Sequence, residues 1–379
     1  MKIYLTLFFT VSFFSLFSEI AEWDLQNLKK EMSSIPSSSY SRENIYRAYT
    51  SKVKHKMSPC SCCLIEIKNN EIFINEKKMI PEEAFHEALY TCRYPWVAAN
   101  MLHIVASEKK LPDVLFLYCF WDVNFNPEEL KDVPILIGII QKKPKNTISF
   151  QEGVPFVGYQ LNHQYNEICS VNEKCPSWEK KISKLFWRGI LSDKPWKIKI
   201  KTDDNKEKIA TPRIAIHYLS LIFPNLLDAE ILPFQPFKNR DMDMLKKLNI
   251  PLSVDIKRKT FLDHANYKYQ ISLDGIQSSG YFWRLFSDCC VFKADSEVSS
   301  WYFKGLKPYV HYIPIKHDLS NLIEQINWAL SNDSKAKQIA KNGQDFAKKY
   351  LKPEDFIERI EIILNMYADY QNKADELIK

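Results

Sequence analysis

Glycine is scarce in this chain, with 8 in 379 residues beside 19 prolines. Neither an internal repeat nor a low-complexity tract is present, which excludes solenoids and repeat arrays. No charge of one sign dominates. The 52 Lys and Arg against 46 Asp and Glu leave a net charge of +6, spread along the sequence. The densest basic runs, KIKIK at 197–201 and IKRK at 256–259, alternate with apolar residues. They read as solvated strand faces, so nucleic acid is not an expected partner. No apolar run reaches the ~20 residues of a spanning helix. No CxxC pair is followed by a second at finger spacing, which argues against structural zinc.

What is present is enough to build packed cores. Hydrophobic residues make up 46% and aromatics 13%, which excludes a disordered chain. The length suits two domains at ~100–200 residues each. At the N-terminus, Lys2 precedes an apolar run from Ile3 to Phe17, and small Ser15 and Ser18 stand before Glu19. That order predicts a secretory signal peptide cleaved near Ser18, with no stable membrane span afterwards. There are 9 cysteines, with Cys60, Cys62 and Cys63 crowded together. In an exported protein they predict disulfides, with one thiol left over. Cys289 and Cys290 lie in an apolar stretch and read as buried small hydrophobes.

Strand and helix patterns alternate. Continuous apolar runs, DVLFLYCF at 113–120 and VPILIGII at 133–140, predict strands covered on both faces. Residues 82–111 are helical with a Pro-Trp interruption. Further strands are expected in KLFWRGIL (184–191), NLLDAEIL (225–232), YKYQIS (267–272) and VHYIPI (310–315). YKYQIS alternates with period two, as a half-buried strand does. Helices are expected at 212–222, 318–331, 334–350 and 353–375. The prediction is α/β with two Rossmann-like domains. Residues 1–18 form the signal, 19–57 a polar helical leader, 58–165 the first domain, 166–350 the second and 351–379 a closing helix.

Several residues carry chemistry. Asp122 follows a buried strand, at the edge where open α/β sheets bind ligands, and suits a general base. A loop aspartate capping the next element suits the same position. Arg188, followed by Gly189, ends another strand and presents a fork that fits phosphate. A structural arginine paired with a carboxylate is the other reading. Arg213 opens a helix behind Thr211 and Pro212, where backbone N–H groups favour anions. The stretch Ile276, Gln277, Ser278, Ser279, Gly280 and Tyr281 is a turn into a helix bearing Arg284. Asp241 and Asp243 stand in D-x-D spacing, but acidic residues at a helix start explain them better than a metal.

FWRG, TPR with FPNLLDAE, YKYQISLDG and LKPYVHYIPIK, with PCSCCLI and LPDVLFLYCFWD upstream, resemble the protein O-glucosyltransferase family. These are the Rumi-like, capsule-associated or lipopolysaccharide-modifying glycosyltransferases. The resemblance implies a GT-B type fold, two Rossmann-like domains with a cleft between them. Acceptor contacts would lie in the first domain and the nucleotide-sugar in the second. It implies inverting transfer of a hexose or pentose, glucose or xylose, from a UDP-sugar to a hydroxyl of a protein or glycan. It also implies that no metal or other cofactor is required.

By position, Asp122 would be the base, and Arg188, Arg213 and residues 276–281 would hold the donor. Three departures stand out. Trp121-Asp122-Val123 replaces Arg-Asp-Tyr, Ile190 replaces a serine, and Tyr281 replaces an arginine, with Arg284 one helical turn later on the same face. These departures support a second expectation, an inactive secreted module that binds a glycan or a protein. The destination would be a periplasm, the cell exterior or an endomembrane lumen.

Overall fold

The computed structural model describes residues 20–54, 62–91, 94–119, 130–138, 140–141, 145–150, 160–191, 197–201, 206–232, 239–251, 259–273, 279–296 and 298–379. The predicted signal peptide lies outside them. Two main sheets organise the chain. The first contains β1 (Cys62–Lys68), β2 (Glu71–Ile74), β3 (Lys77–Lys78), β4 (Val114–Cys119), β5 (Ile135–Ile137) and β6 (Thr147–Ser149), in the order β3-β2-β1-β4-β5-β6. The second contains β7 (Ile182–Gly189), β8 (Leu227–Ile231), β9 (Tyr267–Ser272), β10 (Cys290–Ala294) and β11 (Ile313–Ile315), in the order β8-β7-β9-β10-β11.

The second sheet is parallel throughout, as expected for the Rossmann-like half of a GT-B type fold. The first sheet is mixed. Only β4, β5 and β6 run parallel, while β1 is antiparallel to β2 and β4. A short connection decides the β1–β2 pairing. Two residues separate β1 from β2 and permit only a hairpin, whereas a parallel return needs a crossover of a dozen residues or more. β4 carries the uninterrupted apolar run and is buried at every position. The Pro-Trp interruption also takes effect, because two helices, Pro81–Thr91 and Tyr94–Glu108, stand where one pattern ran.

β9 departs from the period-two expectation of a half-buried strand. It lies in the middle of the parallel sheet, so its polar residues are buried as well. Lys268 Nζ donates to Asp333 Oδ1 at 2.8 Å and lies over the Trp178 ring, while Gln270 Nε2 donates to the His264 carbonyl at 3.2 Å. The Lys268 ammonium and the Gln270 amide nitrogen thus have partners, as the cost of burying an unpaired donor favours, whereas Gln270 Oε1 has none.

The leader and the closing helix belong to the first sheet's core. Leu28 and Met32 of the helix Glu22–Ser33, and Ile360, Leu364 and Tyr367 of the helix Pro353–Glu376, join one apolar cluster with β4. Gln371 clamps the β4 backbone, accepting from Leu115 N at 2.9 Å and donating to Leu115 O at 2.8 Å. The buried Arg359 Nε lies 2.6 Å from Asp24 Oδ2, and Arg359 Nη2 donates to Ser149 O at 3.0 Å. No helix among the described residues is long and apolar enough to cross a membrane.

Candidate anion-binding site

The strand order of the second sheet reverses between β7 and β9, which makes their carboxyl ends a topological switch point where open α/β sheets bind ligands. Arg188 is the penultimate residue of β7. Its Nη1 donates to the carbonyls of Trp187 and Asp228, both at 2.9 Å. Its Nη2 lies 2.6 Å from Asp228 Oδ1 and 3.2 Å from Glu230 Oε2. The guanidinium rests on the Phe186 ring at 4.5 Å, and only Nε lacks a partner. The fork is therefore held by the acids of β8, next in register. Gly189 answers to Trp187, since a Cβ there would come within 2.6 Å of the indole. The close approach is made by a side chain of the protein's own.

Arg213 sits in the first turn of the helix Pro212–Ile222, whose N-cap Thr211 accepts from Ile214 N at 3.3 Å. Pro at N1 and a threonine cap start this helix firmly. Arg213 Nη1 donates to the carbonyl of Ile190, just past β7. Arg284 comes from the helix Ser279–Phe286 and reaches back one turn to the Gly280 carbonyl at 2.5 Å. Its guanidinium stacks on Trp283 at 4.3 Å, and Nε has no partner. Burial, and then the Arg213 charge, push its pKa down to about 9. No carboxylate among the described residues pairs with it. The Arg284 head thus reaches the first turn of the helix, beside Gly280.

Two histidines that the sequence reading passed over complete the surroundings. His217 is pushed down to about 4 by burial and then by Arg188. His264 is held well below the usual histidine range by burial and then by Arg284, Arg188 and Lys259. Both stay neutral at pH 7, and both have an Nδ1 without a partner. A lone histidine on an apolar helix face carries no signal of this kind in sequence.

The remaining candidates fall out differently. Tyr281 is 1% exposed and packs edge-on against Phe303 at 5.1 Å, so it faces the core rather than a ligand. Asp122, Ile276, Gln277 and Ser278 lie outside the described residues, as does the side chain of Ser279. Asp243 is exposed on the helix Asn239–Lys247, and the Asp241 side chain is not described. No group of three metal-ligating side chains occurs among the described residues. The seven described cysteines are free thiols, where disulfides were expected; Cys60 and Cys92 lie outside the described residues.

The model of glycosyl transferase family 90 matches residues 147–376. Protein O-glucosyltransferase 2 of Danio rerio is 35% identical over 197 residues, 52% of this chain and 34% of that protein. Protein O-glucosyltransferase 3 of Mus musculus is 32% identical over 282 residues, 72% of this chain and 50% of that protein. The chain thus spans between a third and a half of the length of these curated relatives. A solved structure of Anabaena HepE with UDP and glucose covers 72% of this chain and 76% of its own, at 11% identity and a TM-score of 0.41. The match of the family model across more than half of the sequence, spanning β7, β9 and all three arginines, shows that the chain belongs to glycosyl transferase family 90.

Proposed function

We propose that this chain is an inverting glycosyltransferase that moves glucose or xylose from a UDP-sugar to a hydroxyl of a protein or glycan. The observation that carries this reading is the buried Arg284 guanidinium beside Arg213 at the switch point, with an unused Nε donor. A buried guanidinium with an unused donor, close to a second cation, suits an anion, and a diphosphate supplies one. Family membership and the O-glucosyltransferase names of the relatives support sugar transfer.

The chemistry follows from charge. Asp122 takes the proton of the acceptor hydroxyl as that oxygen attacks the anomeric carbon from the face opposite the leaving diphosphate. Direct displacement inverts that centre. Negative charge grows on the departing phosphate, where Arg213, Arg284 and the N–H groups at the helix start stabilise it. Arg188, committed to Asp228 and Glu230, has one free donor to offer. With these cations in place the reaction needs no metal. The protein acts in the secretory route, reached by its signal peptide.

The test is UDP release from UDP-glucose and UDP-xylose, with and without chelator, in the presence of peptide or glycan acceptors. Release with either donor and undiminished by chelator is expected. The occupied fork of Arg188 favours one second reading, an inactive module that binds a glycan. Glycan binding with no affinity for UDP or its sugars would select it.

A further inference from the structure

The apolar core of the first sheet contains a thiol pair that sugar transfer does not use. Cys62 opens β1 and Cys119 ends β4, and the two are direct partners across the antiparallel ladder. Directly opposed residues in such a ladder point to the same face, with Cα atoms about 4.5–5.5 Å apart. That separation lies within the ~4.4–6.8 Å that a disulfide spans. Burial, and then the neighbouring Cys62 thiol, raise the Cys119 thiol well above its ordinary range. Cys63, next in sequence, points to the opposite face, and its thiol donates to the Tyr118 carbonyl at 3.7 Å. Of the two described cysteines in that cluster, the register sets Cys62 opposite Cys119.

We propose that Cys62 and Cys119 are a disulfide site, oxidised as the chain folds in an oxidising compartment. The structure holds the pair reduced. The oxidant is a small exchangeable disulfide such as oxidised glutathione. The Cys62 thiolate attacks one of its sulfurs, forming a mixed disulfide and releasing one glutathione thiolate. The Cys119 thiolate then attacks the Cys62 sulfur and expels the second. Two electrons pass to the oxidant, and the two protons lost by the cysteines end on the two glutathiones. Both cysteines are at most 1% exposed, and burial raises the Cys119 thiol well above its ordinary range. Exchange therefore belongs to the folding chain, before the sheet closes over the pair. The bond would tie β1 to the end of β4, three residues before Asp122, so the site bears on the segment that carries the proposed base.

The test is refolding from denaturant in a glutathione redox buffer, followed by alkylation of remaining thiols under denaturing conditions and peptide mass spectrometry. A Cys60→Ser, Cys63→Ser double variant leaves Cys62 as the only thiol of its segment. In that variant and in the parent chain, a peptide linking Cys62 to Cys119 is expected, and it disappears with dithiothreitol. The oxidised protein should melt about 5 °C or more above the reduced one. Alkylation of both Cys62 and Cys119 in the oxidised sample overturns the proposal and leaves them as packing residues. A Cys62–Cys60 or Cys62–Cys63 link in the parent chain overturns it equally.

Discussion

Arg188 Nη2 lies 2.6 Å from Asp228 Oδ1, and the other oxygen of that carboxylate accepts from the Tyr267 hydroxyl at 2.5 Å. The arginine at the end of β7 is thus fixed by acids of the adjoining strand before any ligand arrives. Arg188→Ala strands Asp228 and Glu230 beside each other. Hydrogen bonds to charged groups contribute about 1.5–3 kcal/mol each, so a loss of stability of at least that size is expected in denaturant unfolding. UDP affinity should fall about tenfold as well. Unchanged stability would show the pairing to be idle.

Arg284 should behave in the opposite way. Its charge is buried near Arg213 with no carboxylate partner among the described residues, so Arg284→Met removes a repulsion along with one hydrogen bond to Gly280. The melting temperature should hold or rise. UDP affinity should drop about tenfold or more, the worth of one charge-assisted hydrogen bond to phosphate. Calorimetry that finds wild-type affinity would remove Arg284 from the donor site.

Asp122→Asn keeps the shape of the side chain and loses its ability to accept a proton. Turnover should fall roughly 10²–10⁴-fold, the usual worth of general-base assistance, with UDP affinity unchanged. Near wild-type transfer would eliminate Asp122 as the base, and loss of UDP binding together with activity would make it structural.

His217 predicts an acid limit. Its folded pKa of about 4 is below the unfolded 6.5, so the unfolded chain binds more protons between those values. Stability is therefore fully present above about pH 6.5 and is lost as pH falls towards 4. His264 shifts in the same direction and adds to the loss. Melting curves across that window should flatten in His217→Gln, and flatten further when His264 is replaced as well. An unchanged slope in both variants would contradict the burial argument.

Asp24→Ala tests the leader. It leaves the 1%-exposed Arg359 without its carboxylate, and breaking a buried pair from one side costs about 3–5 kcal/mol. Chemical denaturation should show that loss, while UDP binding by the folded fraction stays unchanged. A surface-like change below about 0.5 kcal/mol would mean that the leader merely decorates the sheet.

Local pattern alone was enough for β4, because an unbroken apolar run has a single use in an α/β sheet. It was also enough for the helix behind Thr211 and Pro212, where cap and first turn are adjacent in sequence. The motifs around Arg188 and Arg213 and the stretch YKYQISLDG carry the resemblance to the sugar transferases, and they lie within the span that the family model matches. The remainder depended on contacts between distant segments. Burial of Lys268 and Gln270 follows from the central place of β9, which is set by β7 and β10 on either side. The commitment of Arg188 depends on Asp228 lying in the next strand, 40 residues away. Tyr281 faces inward because Phe303 and Tyr312 arrive from a later segment. The closing helix belongs to the first sheet because Gln371 meets Leu115 across 256 residues. Periodicity reports which face of an element is apolar, whereas only the folded chain decides what covers that face.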